Sequence, residues 1–294
     1  MSREERIIKR KKKRERKKFF KYILLLVFLL IVLKITNHYI GVYKYSHDFL
    51  TGGINSEKND SLWFKRDQSF EVTEEMENYI ANAQSETSKT FLEENRENLP
   101  KSIVALVSKN EDAIAYAKGF IEGNKKLAPK SEDFDVKNPL PYFLQWDRKW
   151  GYVKYGDQAI GTYGCAPTSL AMILKGLGKD VTPIDIAKFS SDNGFLEQNL
   201  TSWKLFESAA QKYGVSCKGV PIGENLINIL DKGSYILVSV KPGVFTDVGH
   251  LIVLSGIKDG KIIINDPNSP ENSKKLWTQE EIKKEARAMW VFSK

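Results

Sequence analysis

Side chains that could bind a soft metal are scarce in this 294-residue chain: three histidines, His38, His47 and His250, and two cysteines, Cys165 and Cys217. These five are scattered and none has the close spacing of a structural or catalytic metal centre, so no metal is expected. Two cysteines allow one bridge at most, which excludes a small disulfide-stapled scaffold. The phosphate-loop pattern G-x-x-x-x-G-K-[ST] does not occur, and no cofactor is expected. Most of the chain also lacks net positive charge. Residues 1–21 hold 12 Lys/Arg and 3 Asp/Glu, which leaves 33 basic and 34 acidic residues for everything else. The formal +8 therefore belongs to a tail, and a folded domain near −1 offers no basic face for nucleic acid. Apolar residues are plentiful: 41% hydrophobic and 11% aromatic residues can form a core, so a wholly disordered chain is excluded.

The longest uninterrupted apolar run, Tyr22–Leu33, is 12 residues and follows closely on the basic tail. Extended from Phe19 to Ile35 it reaches 17 positions, with Lys21 and Lys34 near its ends, where lysines can reach the headgroups. Tyr39 and Ile40 add an interfacial end. No small-residue cleavage pattern follows, since the next residues are Lys34-Ile35-Thr36-Asn37-His38-Tyr39. Residues 19–40 thus read as an uncleaved transmembrane signal anchor. The positive-inside rule puts the basic tail, residues 1–18, in the cytoplasm and everything after about residue 40 outside the cell.

Residues 41–138 are polar and carry no catalytic signature. Thr73 followed by Glu74 and Glu75 suits a helix start for 73–96. After Pro100, apolar spacing predicts short helices over about 101–108 and 111–122, ended by Gly123. LAPKSEDFDVKNPLP has three prolines and no period, and reads as a linker or extended arm. This segment is read as an extracellular helical prefix docking on the domain that follows.

Residues 139–294 carry the dense signals. Ala166, Leu170, Ile173, Leu174 and Leu177 mark one face of a helix, with Pro167 in its first turn and Gly178 at its end. Cys165 is then at the helix mouth. Further helices are expected from Thr182-Pro183 to about Asn193, from a Thr201 or Ser202 cap to Tyr213, near 223–232, and from a Thr278/Glu281 capping box. Strands are expected near 215–220, at SYILVSV, in the hairpin GHLIVLSGI-KDG-KIIIND, and near 288–292. Helices first and an antiparallel sheet later make the class α+β.

A nucleophilic cysteine reacts as its thiolate, a form favoured by a helix N-terminus and by a nearby imidazolium. Its base needs a third group to fix the tautomer. Cys165 has the helix mouth, and His250 is the one imidazole within 139–294. The third member is Asn265 or Asp266, and the turn selects between them. A two-residue Asp259-Gly260 loop pairing Lys258 with Lys261 puts Asn265 on the His250 face. A three-residue loop with Gly260 in a bulge pairs Ile257 with Lys261 and puts Asp266 there instead. I-K-D-G-K suits the bulged form. The blander readings are a Cys165–Cys217 disulfide, a half-buried strand histidine at 250, and a simple strand stop at Asp266-Pro267. Trp146, Trp150 and Trp203 read as core or cleft walls, with one expected to line a groove.

LQWDRKWGYVKYGD, GTYGCAPTSLAM, TSW, PGVFTDVGHLIVL and NDPNS, in that order, resemble the C-39-like peptidases, papain-like cysteine peptidases related to the double-glycine leader peptidases of bacteriocin exporters. The resemblance covers 139–294, and the helical prefix is similar to one in membrane-anchored bacterial members. It implies a papain-like domain with Cys165 as nucleophile, His250 as base, Asp266 as orienting carboxylate and Gln145 as oxyanion donor beside the Cys165 N–H. The chain departs from the pattern at Ala166, where glycine is usual. It departs again at the 20-residue gap from Gln145 to Cys165, which requires an inserted hairpin. The expected activity is hydrolysis of a peptide or protein substrate, with any export machinery acting in trans. Cell-wall peptide or isopeptide cleavage by the same triad and a catalytically idle peptide-binding module are the alternatives.

Overall fold

The computed structural model describes residue 62 and residues 69–123, 127–197 and 200–294. Residues 1–18 and 19–40, read above as tail and anchor, lie outside the described residues. Among the described residues no helix is long and apolar enough to cross a membrane.

The first helices are α1 (Glu74–Ala81), α2 (Glu86–Asn95), α3 (Lys101–Lys109) and α4 (Ile114–Ile121). The helical stretch expected over 73–96 is divided, because the Ser85 hydroxyl accepts from the Ser88 N–H and starts a second helix. Thr73 caps the first in the same way. Met76, Ile80, Leu92, Leu99, Ile103, Val104 and Val107 are buried between these helices. The proline-rich stretch after 126 forms no helix or strand but is tied down. Glu132 accepts from Arg148, Phe134 meets Trp146 edge-on at 4.9 Å, and Asn138 Nδ2 donates to the Ile264 carbonyl at 2.7 Å.

Next come a small hairpin, β1 (Lys154–Tyr155) and β2 (Gln158–Ala159), then α5 (Ile160–Tyr163) and α6 (Cys165–Gly176). After α7 (Pro183–Asp192) comes a second hairpin, β3 (Leu196–Glu197) and β4 (Leu200–Thr201), followed by α8 (Lys204–Tyr213). The Thr182/Asp185 capping box fixes the start of α7. By contrast, no side-chain cap starts α8. Thr201, expected as that cap, pairs in β4 and hydrogen-bonds the Tyr155 hydroxyl at 2.8 Å instead.

The main sheet is built from β5 (Ser216–Val220), β6 (Tyr235–Val240), β7 (His250–Lys258), β8 (Lys261–Asn265), β9 (Leu276–Trp277) and β10 (Ala286–Ser293). Its order is β5-β10-β6-β7-β8-β9, antiparallel throughout. The last strand thus enters the middle of the sheet. Short helices α9 (Leu226–Asp231), α10 (Pro270–Lys274) and α11 (Gln279–Glu285) fill the connections. Period-2 alternation gives the sheet two apolar faces. Leu237, Leu251, Val253 and Phe292 pack with α6 and α8. Ile236, Val238, Ile252, Leu254 and Ile264 pack with α9 and α11. The fold is α+β, as the element order predicts.

Helix α6 exceeds its one-faced pattern: every residue from Ala166 to Leu174 is buried. Each fully buried Leu or Ile there contributes about 1.5–3 kcal/mol of transfer free energy. The start of this helix is accordingly held in place by its own core. Ala166 is 1% exposed and joins the same cluster, so the extra methyl is accommodated.

Candidate active site

The nucleophile candidate owes its place to a tight backbone approach. Gly164 is the N-cap of α6, and its N–H donates to the Ile160 carbonyl at 2.7 Å, closing α5 directly against α6. A Cβ on Gly164 would lie 2.4 Å from that carbonyl oxygen, so glycine is required. Cys165 follows as the first helical residue, half-buried. Both cysteines are free, so the disulfide reading does not hold. Cys217, on β5, is an unreactive contrast: burial, then the charge of Glu207, pushes its thiol up to about 12.

His250 opens β7 opposite Val240 of β6. Its Nε2 donates to Asp266 Oδ1 at 2.8 Å, and Cys165 lies near enough to act on its ring electrostatically. With Nε2 engaged, Nδ1 is the nitrogen left for the thiol. Burial works against a charged imidazole here. The Asp266 charge and hydrogen bond outweigh it, with Cys165 adding to them, and the imidazole is raised to about 10.

Asp266 is fully buried and held from several sides. Oδ1 also accepts from the Asn268 N–H at 2.8 Å, and Oδ2 accepts from Asn272 Nδ2 at 2.9 Å. Its own N–H donates to Ser273 Oγ, and its carbonyl accepts from the Tyr142 hydroxyl. Three donors thus converge on this one carboxylate and fix its orientation. Asn268, Asn272 and Ser273 carry no sequence motif for this role. Their one local signal is Ser269-Pro270, a helix start that places Asn272 and Ser273 in the first turns of α10.

Register brings Asp266 to His250, by a different route from the expected one. The turn is the two-residue form, Lys258 pairing with Lys261, with Asp259 at φ 53° and Gly260 at φ 70°. Both positive angles match the strand twist of a type I′ turn. The extra residue lies instead inside β7: Leu254 pairs with Ile264 while Gly256 pairs with Ile263, which leaves Ser255 as a bulge. Beyond the bulge Asn265 faces Val253, so the next position shares the His250 face. Asn265 turns away, donating toward the Leu140 and Pro141 carbonyls and accepting from Asn138. It anchors the entering arm.

Gln145 is buried, and its N–H donates to the Pro267 carbonyl at 2.7 Å, one residue past Asp266. Its Nε2 donates to the Gly161 carbonyl at 3.1 Å, and its Oε1 has no partner among the described residues. The 20-residue gap to Cys165 is taken up by the β1–β2 hairpin and α5. Hydrogen bonds from Ile160 to Val153 and from Gly161 to Gly151 fold the chain back. Trp146 and Trp150 are core residues, each 1% exposed. Trp203 is half-exposed, edge-on to Trp290 at 5.0 Å, with Arg287 over its face. No cluster of His, Cys, Asp or Glu suited to a metal exists among the described residues. A thiol, an imidazole and a buried carboxylate in series can carry out nucleophilic acyl transfer without a metal.

Comparison with known proteins bears on the family of the chain. The Peptidase_C39 like family matches residues 137–293. No curated protein matches the chain. Among solved structures, the peptidase domain of Streptococcus ComA, a bi-functional ABC transporter of a quorum-sensing pathway, is similar at 21% identity and a TM-score of 0.36, over 45% of this chain and 90% of that one. A Bacillus anthracis protein solved as a C39-like peptidase is similar at 16% identity and a TM-score of 0.32, over 56% of this chain and 98% of that one. A double glycine motif protease from an AMS/PCAT transporter, solved with its leader peptide, is similar at 21% identity and a TM-score of 0.34, over 55% of this chain and 97% of that one. With the family match spanning more than half of its length, the chain belongs to the Peptidase_C39 like family and is a cysteine peptidase.

Proposed function

We propose that the protein hydrolyses a peptide bond through Cys165, His250 and Asp266. The observation that carries this reading is His250 itself, 2.8 Å from buried Asp266 and within electrostatic reach of the Cys165 thiol. The Cys165 proton passes to His250, and the thiolate adds to the scissile carbonyl carbon. His250 then gives its proton to the leaving amine as the C–N bond breaks, producing a thioester. A water loses a proton to His250, attacks the thioester and releases the acid, and the thiol regains its proton. Asp266 holds the imidazole in the needed tautomer and stabilises its charged form. Gln145 Nε2 has a second N–H beyond the one given to Gly161, and it serves the oxyanion together with the Cys165 N–H. The substrate is a peptide or protein.

The same reading places residues 19–40 in the membrane, 1–18 in the cytoplasm, and 41–138 and 139–294 outside the cell, on the charge and hydropathy pattern of the sequence.

Iodoacetamide labelling of the full chain at pH 7, followed by peptide mass analysis, tests the chemistry. Cys165 should label faster than free cysteine, and His250→Ala should remove the excess. Equal rates for Cys165 and free cysteine would refute the reading. Protease shaving of intact cells tests the topology: loss of 139–294 with retention of 1–18 is expected, and full protection would refute it.

A further inference from the structure

Helices α1–α4 lie outside residues 137–293, the part that defines the family, yet they contact both segments leading into the proposed catalytic pair. Tyr116 of α4 fastens them to the first. It is fully buried and stacked on Tyr152 with centroids 4.6 Å apart and planes 9° from parallel. Its hydroxyl donates to the Gly151 carbonyl at 3.1 Å, while the Tyr152 hydroxyl donates to the Tyr116 carbonyl at 2.7 Å. The fit is close, because a Cβ on Gly161 would lie 2.5 Å from the Tyr116 hydroxyl oxygen. Gly161 is the residue whose carbonyl holds Gln145, and α5 runs from it toward Cys165.

The second contact is electrostatic. Lys109, the last residue of α3, forms an ion pair with Asp247, three residues before His250. Asp247 belongs to the connection 241–249 between β6 and β7. Much of the hydrogen bonding there is internal: Gly243 N–H to the Thr246 carbonyl, and Val248 N–H to Thr246 Oγ1. Phe245 anchors its middle against Trp277, and Val244 and Val248 are exposed. The charged groups near this contact also come from α1 and α3. Asp247 raises the Tyr79 phenol after burial does, and Lys101 pairs with Glu75.

We propose that Lys109 is a positioning residue of the peptidase. The helical prefix, packed onto the Gln145–Cys165 side through Tyr116, presents Lys109 to Asp247 and so sets where the chain enters β7 and where the His250 ring meets the thiol. This rests on Cys165 and His250 being the reacting pair. Lys109 and Asp247 are partly exposed, so the pair is weak and the effect is bounded: about fivefold for its loss, and more for a reversal that adds repulsion.

The test uses the full chain with Cys217→Ser as parent, and reads the iodoacetamide rate of Cys165 at pH 7 and the thermal midpoint. Lys109→Asp and Asp247→Lys should each slow labelling about three- to tenfold with little change in midpoint. The double reversal, which restores opposite charges, should return the rate to within about twofold of the parent. Single reversals that label like the parent, or a double reversal no faster than the slower single, would overturn the proposal while leaving the catalytic reading intact. A parent that labels no faster than its own His250→Ala variant would overturn the catalytic reading itself.

Discussion

Replacing Asp266 by asparagine separates the charge of the proposed third member from its shape. Three donors converge on the carboxylate: His250 Nε2 and the Asn268 N–H, each at 2.8 Å on Oδ1, and Asn272 Nδ2 at 2.9 Å on Oδ2. Alanine would strand all three in a fully buried site, at about 1–3 kcal/mol each. That sum is of the same order as a domain's whole stability, about 5–15 kcal/mol, so Asp266→Ala reports on folding. Asparagine behaves differently. Its oxygen can occupy the Oδ1 position, and Asn272 can rotate its amide to accept from the new NH₂. Shape and hydrogen-bond count survive, and what is lost is the negative charge beside the imidazolium. A hydrogen bond to a charged partner contributes about 1.5–3 kcal/mol, and each 1.36 kcal/mol is tenfold. Asp266→Asn should therefore slow Cys165 alkylation at pH 7 by about 10- to 150-fold. The alkylation rate against pH is the assay, because it needs no knowledge of the substrate. A variant that melts like the wild type and alkylates within about twofold of it at pH 7 would refute the charge argument.

Other outcomes follow from the same geometry. The folded-state imidazole of His250 is raised to about 10 from 6.5, so its charged form stabilises the fold fully below about pH 6.5. That contribution is lost as the pH rises toward 10, so urea midpoints should decline across this window and decline less in Asp266→Asn. Gly164→Ala forces a Cβ to 2.4 Å from a backbone oxygen; it should destabilise by about 1–3 kcal/mol in a thermal melt and slow Cys165 labelling. Gln145→Ala should lower kcat by about 10²–10³ on any cleaved peptide while leaving the Cys165 alkylation rate near wild type. Cys217→Ser should leave that rate unchanged, since a thiol held near 12 is inert at pH 7.

The local features of the site could be read from the sequence because short-range forces make them. The mouth of α6 announces itself by Gly164, Pro167 and a run of apolar residues, so Cys165 was legible as a helix-start thiol. Thr182 with Asp185 and Thr278 with Glu281 form the capping boxes that mark α7 and α11. Scarcity did the rest, because 139–294 contains one histidine. Asp266 was a different matter. Its pairing with the His250 face was expected from a bulged turn, and it arises from a bulge at Ser255 instead. A one-residue slip flips every later side chain, and either location gives the same register beyond it, so nothing in the local sequence separates the two.

The linear chain already names the residues that could take part: the one histidine within 139–294, a thiol at the start of an apolar helix, two adjacent candidates for the third position, and a charge split of +9 and −1. Hydrophobic period, capping and composition act over a few residues, so they survive in one dimension. The remaining features come from packing. It chose Asp266 over Asn265, gave Asp266 its Asn268 and Asn272 donors, and tied Gln145 to Pro267 and Gly161. It also put β10 between β5 and β6, and set Lys109 against Asp247, 138 positions away along the chain. Each of these is a long-range contact whose partner is selected by how whole layers pack, and no short window of sequence carries that energy.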